Sequence, residues 1–430
     1  MRKIFYLIFI IPLFLVACHK DPPDTPPAVT VDFPSANATF SVVDTINFKV
    51  RITDDENISS LKVSLVDDAF TPTGDQQIWP VNLRSTTIND NFIINQPSLP
   101  SGNYYIVFKA TDNRNYTKKF LPVTLNGIPK KLLNTVLFSS NNQTSTIDIL
   151  DTLLQSVNSI VFNSVFQDGT VSSYQQNIFY MSQNGQLSVY YAPTQDYYWS
   201  VTDLNSLGHN FLGHLTIENP YVLVPYNCCI RSYGSDGTFY RTYTIPAIEQ
   251  RPVISLVSGN YLFVVTKPYT NTHSRIYKYY FNTNVLADSY MLDYSFDPAT
   301  IIQVNDEKIF IFGNILGETK LYEYYFSDNI VSTVDGLPAG TFYDALRIDV
   351  QRILVSIDGN IYQLNPLTYS MISINPALHG YDIEYNDLNH TIWLADGNEL
   401  FGYTYPQYQQ VGHTILTDSI TKVKLLFNHD

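Results

Sequence analysis

Cysteine is scarce, with three in 430 residues. That is too few for a disulfide-stapled scaffold or a cysteine-built zinc cluster. Basic residues are scarce too: 25 Lys and Arg stand against 39 Asp and Glu, for a net charge of −14. Such a chain repels nucleic acid and anionic lipid surfaces, so nucleic acid is excluded as a partner. Beyond residue 16 no apolar run is long enough to span a bilayer. No phosphate loop, nucleophile elbow or metal-ligand spacing occurs, so no catalytic residue can be named. Helical periodicity is missing as well. Aromatic residues are plentiful instead, with 33 Tyr and 25 Phe, and they favour strands.

The N-terminus is organised for export. Arg2 and Lys3 precede an apolar stretch at residues 4 to 16, which is short for a membrane span. Leu15-Val16-Ala17-Cys18 follows and resembles the lipobox of bacterial lipoproteins. The resemblance implies cleavage after residue 17 and acylation of Cys18. The alternative is an ordinary signal peptide with an incidental cysteine. His19 follows the cysteine where an inner-membrane retention signal would place Asp. Lys20, Asp21 and Asp24 are similar to the charged export tag of surface lipoproteins in the Bacteroidota. Residues 1–17 are thus expected to be a signal peptide. Residues 18–27, with Pro22, Pro23, Pro26 and Pro27, are expected to be an acylated, semi-rigid tether. Loss of Arg2 and Lys3 would leave the mature chain more acidic by two charges.

Residues 28–126 alternate apolar and polar residues in short runs. Ile46, Phe48, Val50 and Ile52 share one face of a strand, and so do Leu61, Val63 and Leu65. About seven strands are expected, as in an antiparallel sandwich. The stretch "YYIVFKATDNRNYT" resembles the late turn of immunoglobulin-like and cadherin-like modules. Asp54, Asp55, Glu56 and Asp112 are weak calcium candidates at one end. Calcium wants six to eight oxygens, and a solvated turn is the competing reading. No other cofactor is expected.

"NGIPKK", at residues 126 to 131, marks a boundary. From residue 131 to 430 one apolar strand recurs, beginning near Val136, Ile178, Tyr221, Tyr261, Ile309, Ile353 and Ile392. The spacing is roughly 40 to 48 residues, with a strand before each and another after it, the signature of a β-propeller. The first repeat lacks its leading strand, and "ITKVKLLFN" at the C-terminus is a spare one. That strand is expected to complete the first sheet, giving seven blades and no exposed edge. The fold class is therefore all-β, an immunoglobulin-like sandwich followed by a seven-bladed propeller. Named propeller motifs are missing: "SIDGN" at Ser356 is only half of a sialidase Asp-box. Together the three parts resemble surface lipoproteins of Bacteroidota, many of them linked to glycan uptake.

Site candidates follow from the repeat. Phe296-Asp297, Tyr343-Asp344 and Tyr381-Asp382 precede the repeat strand in three consecutive blades. They are expected at the mouth of the central channel, where carboxylates beside aromatics could bind a cation or sugar hydroxyls. Alternatively each Asp bonds the backbone of its own turn. Loop aromatics form a second group: Tyr197, Tyr198, Trp199, Tyr269, His273, Tyr405 and Tyr408, with packing and sugar stacking equally open. His209 and His214, five apart, would face opposite sides of a strand. Cys228 and Cys229 read as free thiols on alternate faces, with a strained vicinal disulfide as the alternative.

The expected function is an outer-membrane lipoprotein, anchored by its lipid and facing outward. Its propeller would bind a glycan or protein partner without catalysis. One alternative is a glycan lyase or hydrolase at the channel mouth. Another is a periplasm-facing scaffold for envelope assembly.

Overall fold

The computed structural model describes residues 25 to 429, apart from residues 68, 69, 71, 97, 98, 113, 271, 306, 327 and 376. Cys18 and the segment from 1 to 24 lie outside the described residues. All regular structure among the described residues is β. The chain divides into two compact units, residues 1–129 and 130–430.

The first unit contains β1 (Ala28–Phe33), β2 (Ala38–Ser41), β3 (Thr45–Val66), β4 (Pro72–Ile93), β5 (Gly102–Thr111) and β6 (Tyr116–Asn126). The strand order is β1-β3-β5-β6-β2, with β4 also paired to β3. Six strands stand where about seven were expected, because two predicted strands are one. The run from Thr45 to Val66 does not turn at Asp54–Asn57. It continues, with register shifts between Thr53 and Ser60. Those shifts change the phase of the alternation. Ile46, Phe48, Val50 and Ile52 are buried before them and Leu61, Val63 and Leu65 after, all in one core. The N-terminal half of β3 pairs with β1 and β4, and the C-terminal half with β4 and β5.

The second unit is a β-propeller built of successive four-stranded antiparallel sheets. The leading strands are Phe166–Ser172, Thr216–Glu218, Gln250–Ser258, Phe296–Gln303, Phe342–Arg347 and Asp382–Asn386, and each starts its own sheet. The strand Ser419–Phe427 instead pairs with Leu132–Ser140 and leads that sheet. Leading strands pack side by side in chain order, and Ser419–Phe427 also packs on Phe166–Ser172, so the ring closes. Second strands are buried on both faces. All of Asn177–Ser182 and Ile353–Ile357 is inaccessible, which explains their unbroken apolar runs. Asp358 and Gly359, both at positive φ, make the tight hairpin that follows one of them. Because the sheets meander, the start of each leading strand and the second hairpin turn of each sheet lie on one face of the propeller.

Candidate functional site

The channel mouth on that face is shaped by β-bulges. Register shifts fall between Phe166 and Asp168, Pro298 and Thr300, Phe342 and Asp344, and Ile420 and Lys422. A bulge re-aims the side chain that follows it. Asp168, Thr300, Asp344 and Lys422, joined by Asp382, line a cavity of about 430 Å3 at the mouth. That size suits a small ligand, whose pockets run to roughly 300–1,000 Å3. Tyr343 and Tyr381 stand beside the carboxylates, 46% and 39% exposed, their rings edge-to-face at 4.7 Å.

Each mouth carboxylate accepts a hydrogen bond from the backbone of the next sheet or, for Asp168, from the residue just before it. Leu215 N–H donates to Asp168 at 2.7 Å, Ile383 N–H to Asp344 at 2.9 Å and Val423 N–H to Asp382 at 2.7 Å. Asp344 also accepts from Ala345 N–H at 2.8 Å. These acids therefore tie neighbouring sheets together, and only Asp344 also serves its own turn.

Their electrostatics differ. Asp168 is fully buried and pairs with Lys422, with the His214 ring at 3.5 Å. Burial opposes its charge, but Lys422 and His214 outweigh it and hold the carboxyl far below the usual range. Deeper in the channel Lys424 pairs with Glu384. Burial disfavours the ammonium, yet Glu384, Asp382 and Asp344 raise its pKa overall. With both lysines so engaged, Asp344 and Asp382 form no ion pair among the described residues. Burial raises the pKa of Asp344 against the pull of Lys424. Burial, then the charge of Asp344, pushes Asp382 up to about 7.

Asp297 does not join them. It precedes the bulge at Ala299, and Thr300 takes the channel position in that strand. Asp297 is 54% exposed and pairs with Lys267 at 2.7 Å in a different cavity. Phe296 is core, edge-to-face with Tyr322. Asp168 was missed by looking for an aromatic directly before Asp. The signal that finds it is Phe-x-Asp followed by a small residue, shared by Phe166–Gly169 and Phe342–Ala345.

The loop aromatics separate. Tyr405 is buried, donates to Gln363 at 2.8 Å and packs with Tyr408. Trp199 packs on Phe179 and Tyr233 and donates to the Ser235 carbonyl. Tyr197 and Tyr198 are exposed on a fourth, outermost strand. The His273 ring bonds the Leu292 carbonyl at 2.8 Å. Tyr269 alone of the group lies in a turn on the mouth face, with its ring stacked on His209 at 4.0 Å. His209 and His214 sit in the long loop before Thr216, not on a strand. Cys228 falls in a hairpin turn, and Cys229 opens the strand Cys229–Tyr233 that follows it. Cys228 is exposed and Cys229 buried, both free, with sulfurs 3.1 Å apart.

In the first unit the calcium candidates lie near one another, with the charge of Asp112 acting on Asp54, but each is taken up in local contacts. Asp55 accepts from the Thr25 hydroxyl at 2.6 Å, and Glu56 lies 3.8 Å from Arg114. Asp112 accepts from the N–H groups of Arg114 and Asn115. One carboxylate oxygen each of Asp54 and Asp112 is buried without a partner. Among the described residues no three His, Cys, Asp or Glu side chains are placed to hold a metal.

No family model matches the chain, and no curated protein matches it either. Among solved structures it is similar to a functionally unknown protein from Desulfotomaculum acetoxidans, at 12% identity and a TM-score of 0.51, covering 69% of this chain and 100% of that one. Apo AztD from Citrobacter koseri gives 9% identity and a TM-score of 0.47, over 69% of this chain and 99% of that one. The β-propeller domain of Cps50 (Swd1) from Myceliophteria thermophila gives 8% and 0.48, over 62% and 91%. At these identities the likeness concerns the fold alone.

Proposed function

We propose that this protein is a lipid-anchored, outward-facing binding protein whose seven-bladed propeller holds a neutral glycan at the channel mouth. The first unit, which we assign to the immunoglobulin-like class, spaces the propeller from the membrane. The observation that carries the reading is the pair Asp344 and Asp382 in a concave mouth flanked by exposed Tyr343 and Tyr381. Carboxylates accept bonds from vicinal hydroxyls, and tyrosine faces stack on sugar rings. A metal ion is a poorer occupant. Both oxygens of Asp344 and one of Asp382 already accept backbone N–H groups, which leaves few of the six to eight oxygens a calcium ion needs.

A glycan array followed by calorimetry tests this. Asp344→Asn and Tyr381→Ala should each weaken the best glycan about tenfold or more while the fold is kept. Unchanged affinity in both variants would remove the mouth from consideration. A hydrolase or lyase reading draws on one observation, the raised pKa of Asp382 beside a second carboxylate, as suits a general acid. Turnover of a bound oligosaccharide, lost in Asp382→Asn, would establish it.

A further inference from the structure

A second cavity, of about 610 Å3, opens on the mouth face between the sheets led by Gln250–Ser258 and Phe296–Gln303. Arg251, Lys267, Tyr269, Asp297 and Asn314 line it. Lys267 and Asp297 neutralise one another at 2.7 Å. Arg251 has no direct partner of this kind; the charge of Asp297 reaches it, but that carboxylate is bound to Lys267. It is 8% exposed, makes no ion pair among the described residues, and its Nε has no acceptor. Its neighbours hold it without cancelling its charge. Nη1 donates to the Asn210 carbonyl, and the Tyr269 ring centre lies 5.2 Å from the guanidinium carbon. Tyr269 is itself fixed, donating to the Asn227 carbonyl at 2.6 Å and stacking on His209. A guanidinium stays charged at any physiological pH. Burying one without a direct ion pair is costly, and in a chain of net charge −14 acids are not in short supply.

We propose that this cavity is a binding site for a small monocarboxylate, with Arg251 as the carboxylate receptor and the Lys267–Asp297 pair meeting its hydroxyls. The planar guanidinium fork matches a carboxylate. The net charge of the lining is that of one cation, which suits a monoanion better than a phosphate dianion. Two sources share this chemistry: an acidic sugar residue and a free hydroxy acid. The site stands apart from the channel mouth and does not rest on the glycan reading given above.

Isothermal titration of the full chain with glucuronate, lactate, glucose and inorganic phosphate tests it. Glucuronate or lactate should bind, and glucose should bind at least tenfold more weakly than glucuronate. Preference for glucuronate assigns the site to acidic sugars, and equal or better lactate binding assigns it to free hydroxy acids. Arg251→Lys keeps the charge but loses the fork, and should weaken binding about tenfold or more. Asp297→Asn, at an exposed position, releases Lys267 and should tighten binding severalfold. That variant keeps the test alive if the Arg251 change impairs folding. No heat with either carboxylate overturns the proposal. So does phosphate binding more tightly than both, or an affinity that Asp297→Asn leaves unchanged.

Discussion

Asp168 and Asp382 sit on leading strands of the same ring and accept equivalent backbone bonds, yet they titrate in opposite directions. An unfolded Asp releases its proton near pH 3.9. In the fold, burial and the charge of Asp344 push Asp382 up to about 7. Between those values the native state holds a proton that the unfolded chain has lost. Stability therefore falls as pH rises through that window, and the loss is complete above about pH 7. Asp168 behaves conversely. Burial works against its charge, but Lys422 and His214 depress its pKa, so its contribution is present above about pH 3.9 and is lost as pH falls below it. Asp382→Asn keeps an acceptor for the Val423 N–H and removes the titration. In urea melts at pH 5, 6, 7 and 8, the parent should lose stability relative to this variant as pH rises. The difference should approach about 1.4 kcal/mol per pH unit, the slope for one proton. Parallel pH profiles would show that Asp382 ionises normally.

Among the strands, Ser419–Phe427 joins the two ends of the second unit. It leads the sheet of Leu132–Ser140 and packs against the leading strands on either side. Val423, Leu425, Leu426 and Phe427 are buried, each worth roughly 1.5–3 kcal/mol of burial. Lys422 and Lys424 on the same strand neutralise Asp168 and Glu384. Deleting residues 419 to 430 would expose the edge of Leu132–Ser140 and leave Asp168 buried without its lysine, and such orphaned charges cost about 3–5 kcal/mol. Aggregation, or loss of a single cooperative transition in thermal melts, is the expected result; an unchanged melting temperature would mean the strand is dispensable. This pairing was legible in the sequence because second strands, buried on both faces, leave unbroken apolar runs whose recurrence exposes a missing partner. Leading strands were not so legible. They are half-solvated at the channel, and one bulged residue moves every later side chain to the other face. Asp297 was therefore grouped with Asp344 and Asp382, while Asp168 went unseen. In the first unit the same effect split β3 in two, since the shifts near Asp54–Asn57 imitate a turn.

At the scale of the whole molecule, the two units have separate cores, and no helix among the described residues is long and apolar enough to cross a membrane. On the lipoprotein proposal, membrane attachment falls to Cys18. A diacylglycerol and an amide-linked acyl chain bury many methylenes at about 0.8 kcal/mol each, enough for two-chain anchoring to be durable where one chain is not. The protein's own charge gives no help, since a chain of net charge −14 is repelled by anionic headgroups. Cys18→Ala should therefore move the protein wholly from the outer-membrane fraction to the soluble fraction, with no residual salt-sensitive binding. Protease shaving of intact cells then addresses orientation, because a propeller displayed outward is open to cleavage in its exposed loops, such as the one between Asp203 and Leu215. Full protection of the parent protein, under conditions that cut other surface proteins, would place the propeller in the periplasm. The channel mouth would then face partners inside the envelope, not glycans outside it.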